Sequence, residues 1–228
     1  ETDAVNVSNV LFSGVGADVV IQSGGDMTLG SIAGNQLFGG GDVTLRTTGS
    51  IIDGNGILLN TINTGTLTME ANGSIGALSD AIETGTFGGA LTLRAQGGDI
   101  GITQPTTGGS AQSLFLSDVQ AAGGVNIENQ NLFGGALLIG TIVAPSGVRL
   151  VTSSGAVLDT NGALNNITVV NGAQPAQVGP GIRPAVVGPT TNFILAGGHI
   201  GTALDPLDVN INPGTLTVAA GVAEQGVS

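Results

Sequence analysis

Three stretches of this chain spell one pattern at one spacing: GDVTLRTTGSI from Gly41 to Ile51, GTLTMEANGSI from Gly65 to Ile75, and GALTLRAQGGDI from Gly89 to Ile100. Their starts are 24 residues apart, and the third carries one extra glycine. In each copy apolar and polar residues alternate, so Val43 and Leu45, Leu67 and Met69, and Leu91 and Leu93 share one face of a strand, with Thr44, Thr68 and Thr92 on the other. A glycine-containing turn follows, and then Ile51, Ile75 or Ile100 points inward again. A unit of this length cannot bury its apolar face alone; it must stack on copies of itself. The expectation is an all-β, right-handed parallel β-helix (β-solenoid) with irregular coils and loop excursions, each coil two or three short strands.

Looser copies extend the theme along the whole chain: GGDMTL from Gly24, GGVNIENQ from Gly123, GVRLVTSSGAV from Gly147 and GTLTVAAG from Gly214. We therefore expect residues 1–228 to form a single solenoid of roughly nine to eleven coils, about 45 to 50 Å long. Two segments interrupt the rhythm. Asn171 to Thr190 holds four of the eight prolines, which remove ladder donors and favour extended backbone, so 171–190 reads as a loop excursion. A smaller excursion is expected from Thr103 to Ser113. Both read as spacers first and as binding loops second.

Composition narrows the function. The net charge is −12, and the only cations besides one histidine are Arg46, Arg94, Arg149 and Arg183, so a nucleic-acid backbone would be repelled. The chain has no cysteine, which removes disulfides and thiolate metal sites. No apolar run approaches the roughly 20 residues of a membrane span, and the first residues lack the pattern of a signal peptide. The rhythm still runs at the last residues, so the chain reads as an internal piece of something longer.

The segment AGGHIGTALDPLDVNINPGTLTVAAG, Ala196 to Gly221, resembles the repeats of haemagglutinin-type large exoproteins secreted by bacterial two-partner systems. The resemblance rests on Gly198, Ile200, Gly201, Thr202, Pro206 and Leu207, then Gly214 to Ala219; LTLRAQGGDIG near Leu91 is similar in kind. It implies a β-helical segment of a filamentous-haemagglutinin-like adhesin, secreted or on the bacterial cell surface. For the full-length protein it implies an outer-membrane secretion partner. The turn motif of that family's secretion domain is absent, which places this stretch in the fibre shaft.

No catalytic, cofactor-binding or metal-binding residue is expected. His199 occupies the slot filled by Ser50, Ser74 and Asp99 in other copies and reads as an exposed turn residue, with no serine nucleophile signature beside it. The sixteen carboxylates match neither the nonapeptide nor the EF-hand calcium pattern. Asp205 and Asp208 are the nearest approach to a calcium pair, against a reading as solvated acidic surface. Phe38, Phe87 and Phe133 each precede a glycine pair and are expected to stack inside the core at a corner, the alternative being a sugar-binding shelf.

The functional expectation is a non-enzymatic shaft or adhesion segment, touching host or cell-surface glycans or proteins through its loops and able to associate end to end. The alternatives are a polysaccharide lyase or hydrolase, which would need clustered carboxylates, and an ice-binding solenoid, which would need two aligned threonine columns.

Overall fold

The alternation seen in the sequence becomes two parallel sheets wound by one chain. The computed structural model describes residues 3–13, 16–34, 41–62, 64–85, 89–106, 109–170, 191–212 and 214–221. In chain order the strands are β1 Val5–Phe12, β2 Val19–Ser23, β3 Met27–Gly34, β4 Val43–Thr47, β5 Ile51–Asp53, β6 Thr61–Ile62 and β7 Leu67–Ala71. They continue as β8 Ile82–Gly85, β9 Ala90–Ala95, β10 Ile100–Gln104, β11 Leu114–Ala121, β12 Val125–Asn129 and β13 Leu137–Val143. The last six are β14 Val148–Thr152, β15 Val157–Asp159, β16 Ile167–Val170, β17 Thr191–Ala196, β18 Val209–Asn212 and β19 Thr215–Ala220. One sheet runs β1-β3-β6-β8-β10-β12-β14-β17-β19, with β5 beside β3. The other runs β18-β16-β13-β11-β9-β7-β4-β2, with β15 beside β13. The product is a parallel β-solenoid of about seven turns.

Register explains why the core is aliphatic. Val43, Leu67, Leu91, Leu116 and Ile139 follow one another up the second sheet, and Leu45, Met69, Leu93, Val119 and Ile142 form the parallel column beside them. All ten are wholly buried. In-register stacking puts like against like every ~4.8 Å, a spacing that branched aliphatic side chains fill well. Ile51, Ile75 and Ile100 bridge in sequence and are buried too. Thr44, Thr68 and Thr92 form their own outward column and are half-buried because each shields the next.

The glycines that open two of the three repeats have a steric cause. A Cβ on Gly89 would overlap the carbonyl oxygen of Gly65, and one on Gly41 would overlap that of Ala17. At these two positions the coils approach too closely for a Cβ, and Gly65 N–H donates to the Gly41 carbonyl across the gap at 3.0 Å.

Polar side chains also line the inside of one edge. Thr61, Thr84, Gln104, Asn129 and Thr152 stand in successive coils and are all buried. Asn129 Nδ2 donates to the Gln112 carbonyl at 3.0 Å, and Thr152 Oγ1 to the Gly135 carbonyl at 3.0 Å. The hydroxyls of Thr61 and Thr84 and the amide of Gln104 have no hydrogen-bond partner.

Three expectations need correction. The coils number fewer than nine to eleven, and eight steps from β1 to β19 span about 38 Å rather than 45 to 50 Å. The cause is the step from β14 to β17: Val148 and Asn192, hydrogen-bonded neighbours on adjacent coils, are 44 residues apart. One step there consumes nearly two repeats. Phe133 does not stack in the core; it is 52% exposed at a turn where Asn131 Oδ1 accepts its N–H. Thr103 and Gln104 remain in β10, so the smaller excursion starts only after them. Phe38, Phe87 and the 171–190 excursion lie outside the described residues.

Candidate functional site

Asp18, Asp26, Asp42 and Asp99 are spread along the solenoid axis, each bonded to the next coil. Ser50 N–H donates to Asp26 Oδ1 at 2.8 Å, Ser74 N–H to Ser50 Oγ at 3.1 Å, Asp99 N–H to Ser74 Oγ at 3.1 Å, and Gly124 N–H to Asp99 Oδ1 at 2.7 Å. A second relay links Asp18 to Asp42 and Asp42 to Thr66 in the same way, at 2.9 and 2.8 Å. Each of these side chains satisfies a turn N–H of the next coil, which parallel strands leave unpaired at their corners. His199 sits exposed in the equivalent slot, and its carbonyl accepts the Val157 N–H at 2.9 Å.

Surface charge is paired along the same axis. Arg46 meets Glu70 at 2.8 Å, Arg94 meets Asp118 at 2.6 Å, and Arg149 meets Glu128 at 3.0 Å. Above the second sheet, Gln22, Arg46, Glu70, Asn72 and Gln96 line a shallow groove of about 310 Å³. It offers amide and charged groups to solvent and has no buried acid beside a nucleophile.

The most elaborate constructions are two loops that the repeat reading did not single out. Asp53-Gly54-Asn55-Gly56-Ile57-Leu58-Leu59-Asn60 and Asp159-Thr160-Asn161-Gly162-Ala163-Leu164-Asn165-Asn166 share the spelling D-x-N-G-x-L-x-N. The first leaves the wall after β5 and returns as β6, both paired to β3; the second leaves after β15 and returns as β16, both paired to β13. The first loop therefore leaves one sheet and the second leaves the other.

Their hydrogen bonds coincide. Asn60 Nδ2 donates among Asp53 Oδ1 (2.8 Å), Asn55 Oδ1 (3.1 Å) and the carbonyls of Leu29 (3.0 Å) and Gly30 (3.2 Å). Asn166 Nδ2 does the same among Asp159 Oδ1 (2.6 Å), Asn161 Oδ1 (3.0 Å) and the carbonyls of Ile139 (2.9 Å) and Gly140 (3.2 Å). In both loops the fourth residue, Gly56 or Gly162, has positive φ (70° and 66°), a conformation that glycine takes without strain. The loop tips are apolar: Ile57 and Leu58 are exposed in the first and Leu164 in the second.

The next coil completes each loop with the same corner. Ile75-Gly76 and Ile200-Gly201 each end on a positive-φ glycine, after which Ala77 N–H donates to the Asp80 carbonyl at 2.7 Å and Thr202 N–H to the Asp205 carbonyl at 2.8 Å. Asn60 Oδ1 then accepts the Glu83 N–H, and Asn166 Oδ1 the Asp208 N–H, each at 2.8 Å. The corner singled out at Asp205 and Asp208 thus has a copy at Asp80 and Glu83.

Carboxyls gather at both junctions. Burial, with Asp53 and Asp80 nearby, pushes Glu83 up from 4.5 to about 7. Asp205 is raised by desolvation and by Asp159 and Asp208. Burial works to raise Asp159, but the Asn166 amide, the backbone N–H of Asn161 and the contact with Asp205 hold it below the usual carboxylate range. In each loop the amide nitrogen of Asn60 or Asn166 occupies the centre on which the oxygens converge. Among the described residues no group of three or more His, Cys, Asp or Glu side chains is placed to hold a metal ion.

Compared with family models, with curated proteins and with solved structures, the chain matches none.

Proposed function

We propose that this chain is a non-enzymatic shaft segment of a secreted, surface-exposed bacterial exoprotein of the haemagglutinin type, contributing length, stiffness and a surface for adhesion. The observation that carries this reading is the use made of the polar side chains. Asp18, Asp26, Asp42, Ser50, Ser74 and Asp99 each accept a backbone N–H from the next coil. Groups committed to coil-to-coil bonds hold a fibre together and are unavailable for acid–base work, which needs a free proton acceptor beside a bound substrate. The spelling from Ala196 to Gly221 supplies the family side of the proposal, and with it an outer-membrane secretion partner for the parent protein.

Adhesion would use the exposed loop tips and the groove beside Arg46 and Glu70, with host or cell-surface glycans and proteins as partners. End-to-end association of copies is a further part of the reading, since Val218 in β19 follows buried Ile194 in the ladder yet is half exposed. A glycan array run beside a depolymerisation assay on the same polymers tests the function. Binding or silence without turnover is the expected outcome; release of oligosaccharides would replace this reading with a β-helical lyase or hydrolase.

A further inference from the structure

We propose that the Asp205–Pro206 peptide bond is a self-cleaving joint, at which the Asp205 carboxyl displaces the Pro206 nitrogen in mild acid. The inference goes beyond the shaft reading and does not rest on it. Asp–Pro occurs once in the sequence. It falls in the corner that follows Gly201, where both residues are exposed to water. Thr202 holds Asp205 on both sides. Its N–H donates to the Asp205 carbonyl at 2.8 Å and its Oγ1 to the same carbonyl at 3.4 Å, while Oγ1 accepts the Asp205 N–H at 3.0 Å. The carbonyl polarised in this way is the one that joins Asp205 to Pro206.

The step balances with the chain and one water molecule. An oxygen of the protonated Asp205 carboxyl attacks the carbonyl carbon of the same residue and closes a five-membered cyclic anhydride. The carbon–nitrogen bond to Pro206 breaks, and the carboxyl proton passes to the proline nitrogen, which leaves as a secondary amine. Water then opens the anhydride, so that Asp205 ends one piece and Pro206 begins the other. Ring closure is intramolecular and needs no second reactant to be brought up. The Thr202 N–H lies where it stabilises the negative charge that grows on the carbonyl oxygen during attack. Proline suits the leaving side, because its nitrogen carries no N–H and is the more basic for its second carbon substituent. Desolvation and the carboxylates of Asp159 and Asp208 strengthen the hold of Asp205 on its proton, which keeps the reacting acid form present in milder acid. The other titratable group described on this coil is the exposed His199.

The molecule carries its own control. The corner after Gly76 repeats the construction: Asp80 is exposed, and its carbonyl accepts the Ala77 N–H at 2.7 Å. Its successor is Ala81, so the same attack meets a poorer leaving group there. A cut after Asp205 leaves the following strands in place. Asn166 grips Asp208, its Oδ1 accepting the Asp208 N–H at 2.8 Å and its N–H donating to the Asp208 carbonyl at 2.9 Å. Beyond it β18 stays paired to β16, and β19 to β17. A nicked solenoid therefore keeps its shape until those ladders open, which would uncover Val169 and Ile194, both buried in the intact chain.

The test is incubation of the chain at the lowest pH at which it keeps its strand circular-dichroism spectrum, beside the same chain unfolded in guanidinium at that pH. Both are read by mass spectrometry after denaturation. A fragment from Pro206 to Ser228 is expected to appear about tenfold faster from the folded chain, less than one oriented donor contributes in a closed site because this corner is exposed. The bond from Asp80 to Ala81 should stay whole, and Pro206→Ala should suppress the fragment. Equal or faster cleavage in guanidinium would show only the ordinary acid lability of an Asp–Pro bond and overturns the proposal. So does the absence of the fragment from the folded chain, equal cutting after Asp80, or a fragment that survives Pro206→Ala. Should the variant fail to fold, the comparison of folded and unfolded parent chain decides.

Discussion

Single residues in this molecule are constrained by what lies one coil above and below. Leu67 sits between Val43 and Leu91 with no exposed surface, so Leu67→Asp places a charge in a dry column and should cost more than about 4 kcal/mol, enough to abolish folding. Loss of the cooperative thermal transition checks this. Asn60→Ala removes the amide that ties Asp53 and Asn55 to the wall and leaves the Glu83 N–H without its acceptor, and should cost about 2–3 kcal/mol in a denaturant titration, with Asn166→Ala, which strips the Asp208 N–H, matching it. Thr84→Val is the opposite case. Its hydroxyl is buried without a partner, and valine keeps the shape, so stability should stay within about 1 kcal/mol of the parent or rise. A large loss would mean that the Thr61–Thr84–Gln104 edge depends on an ordered water bound to that hydroxyl.

Elements are set by corners more than by strands. A Cβ on Gly89 meets the Gly65 backbone, which cannot swing aside as a side chain can, so Gly89→Ala should destabilise by about 2–3 kcal/mol through displacement of β9 from β7. At Gly109 a Cβ meets nothing within 4 Å, and alanine there should be neutral. Measuring the two midpoints side by side separates steric need from general glycine entropy. The strands were legible in the sequence because period-two alternation and buried faces coincide at Val43, Leu45, Leu67, Met69, Leu91 and Leu93. The two D-x-N-G-x-L-x-N loops were not, because a repeat of about 24 residues leaves Asp53 to Asn60 as noise between copies. Their signal is the eight-residue spelling repeated at Asp159. The facing of Phe133 was not legible either: a phenylalanine before two glycines fits a packed corner as well as an exposed turn, and only the Asn131 turn decides between them.

At the scale of the whole molecule, length is set by how many residues each step consumes. Most steps take about one repeat, a one-residue excess between Leu116 and Asp118 is absorbed by a register shift in β11, and the step from β14 to β17 takes 44 residues. An account based on repeat length alone therefore overestimated the number of coils. Stiffness comes from the relays and ladders that run along the axis. The exposed pair Arg46–Glu70 adds no more than about 1 kcal/mol, and raising salt should leave the midpoint nearly unchanged. The central claim, one uninterrupted solenoid whose length grows by a fixed increment per coil, can be measured with paired spin labels, since the chain has no cysteine to remove. Asn6, Thr28, Asn126, Arg149, Phe193 and Thr217 belong to one column running from β1 to β19. Labels at Asn6 and Asn126 should lie about 24 Å apart and labels at Asn6 and Thr217 about 38 Å apart, each as a single narrow distribution. A second distance equal to or shorter than the first, as in a closed barrel or a sandwich, would contradict the account.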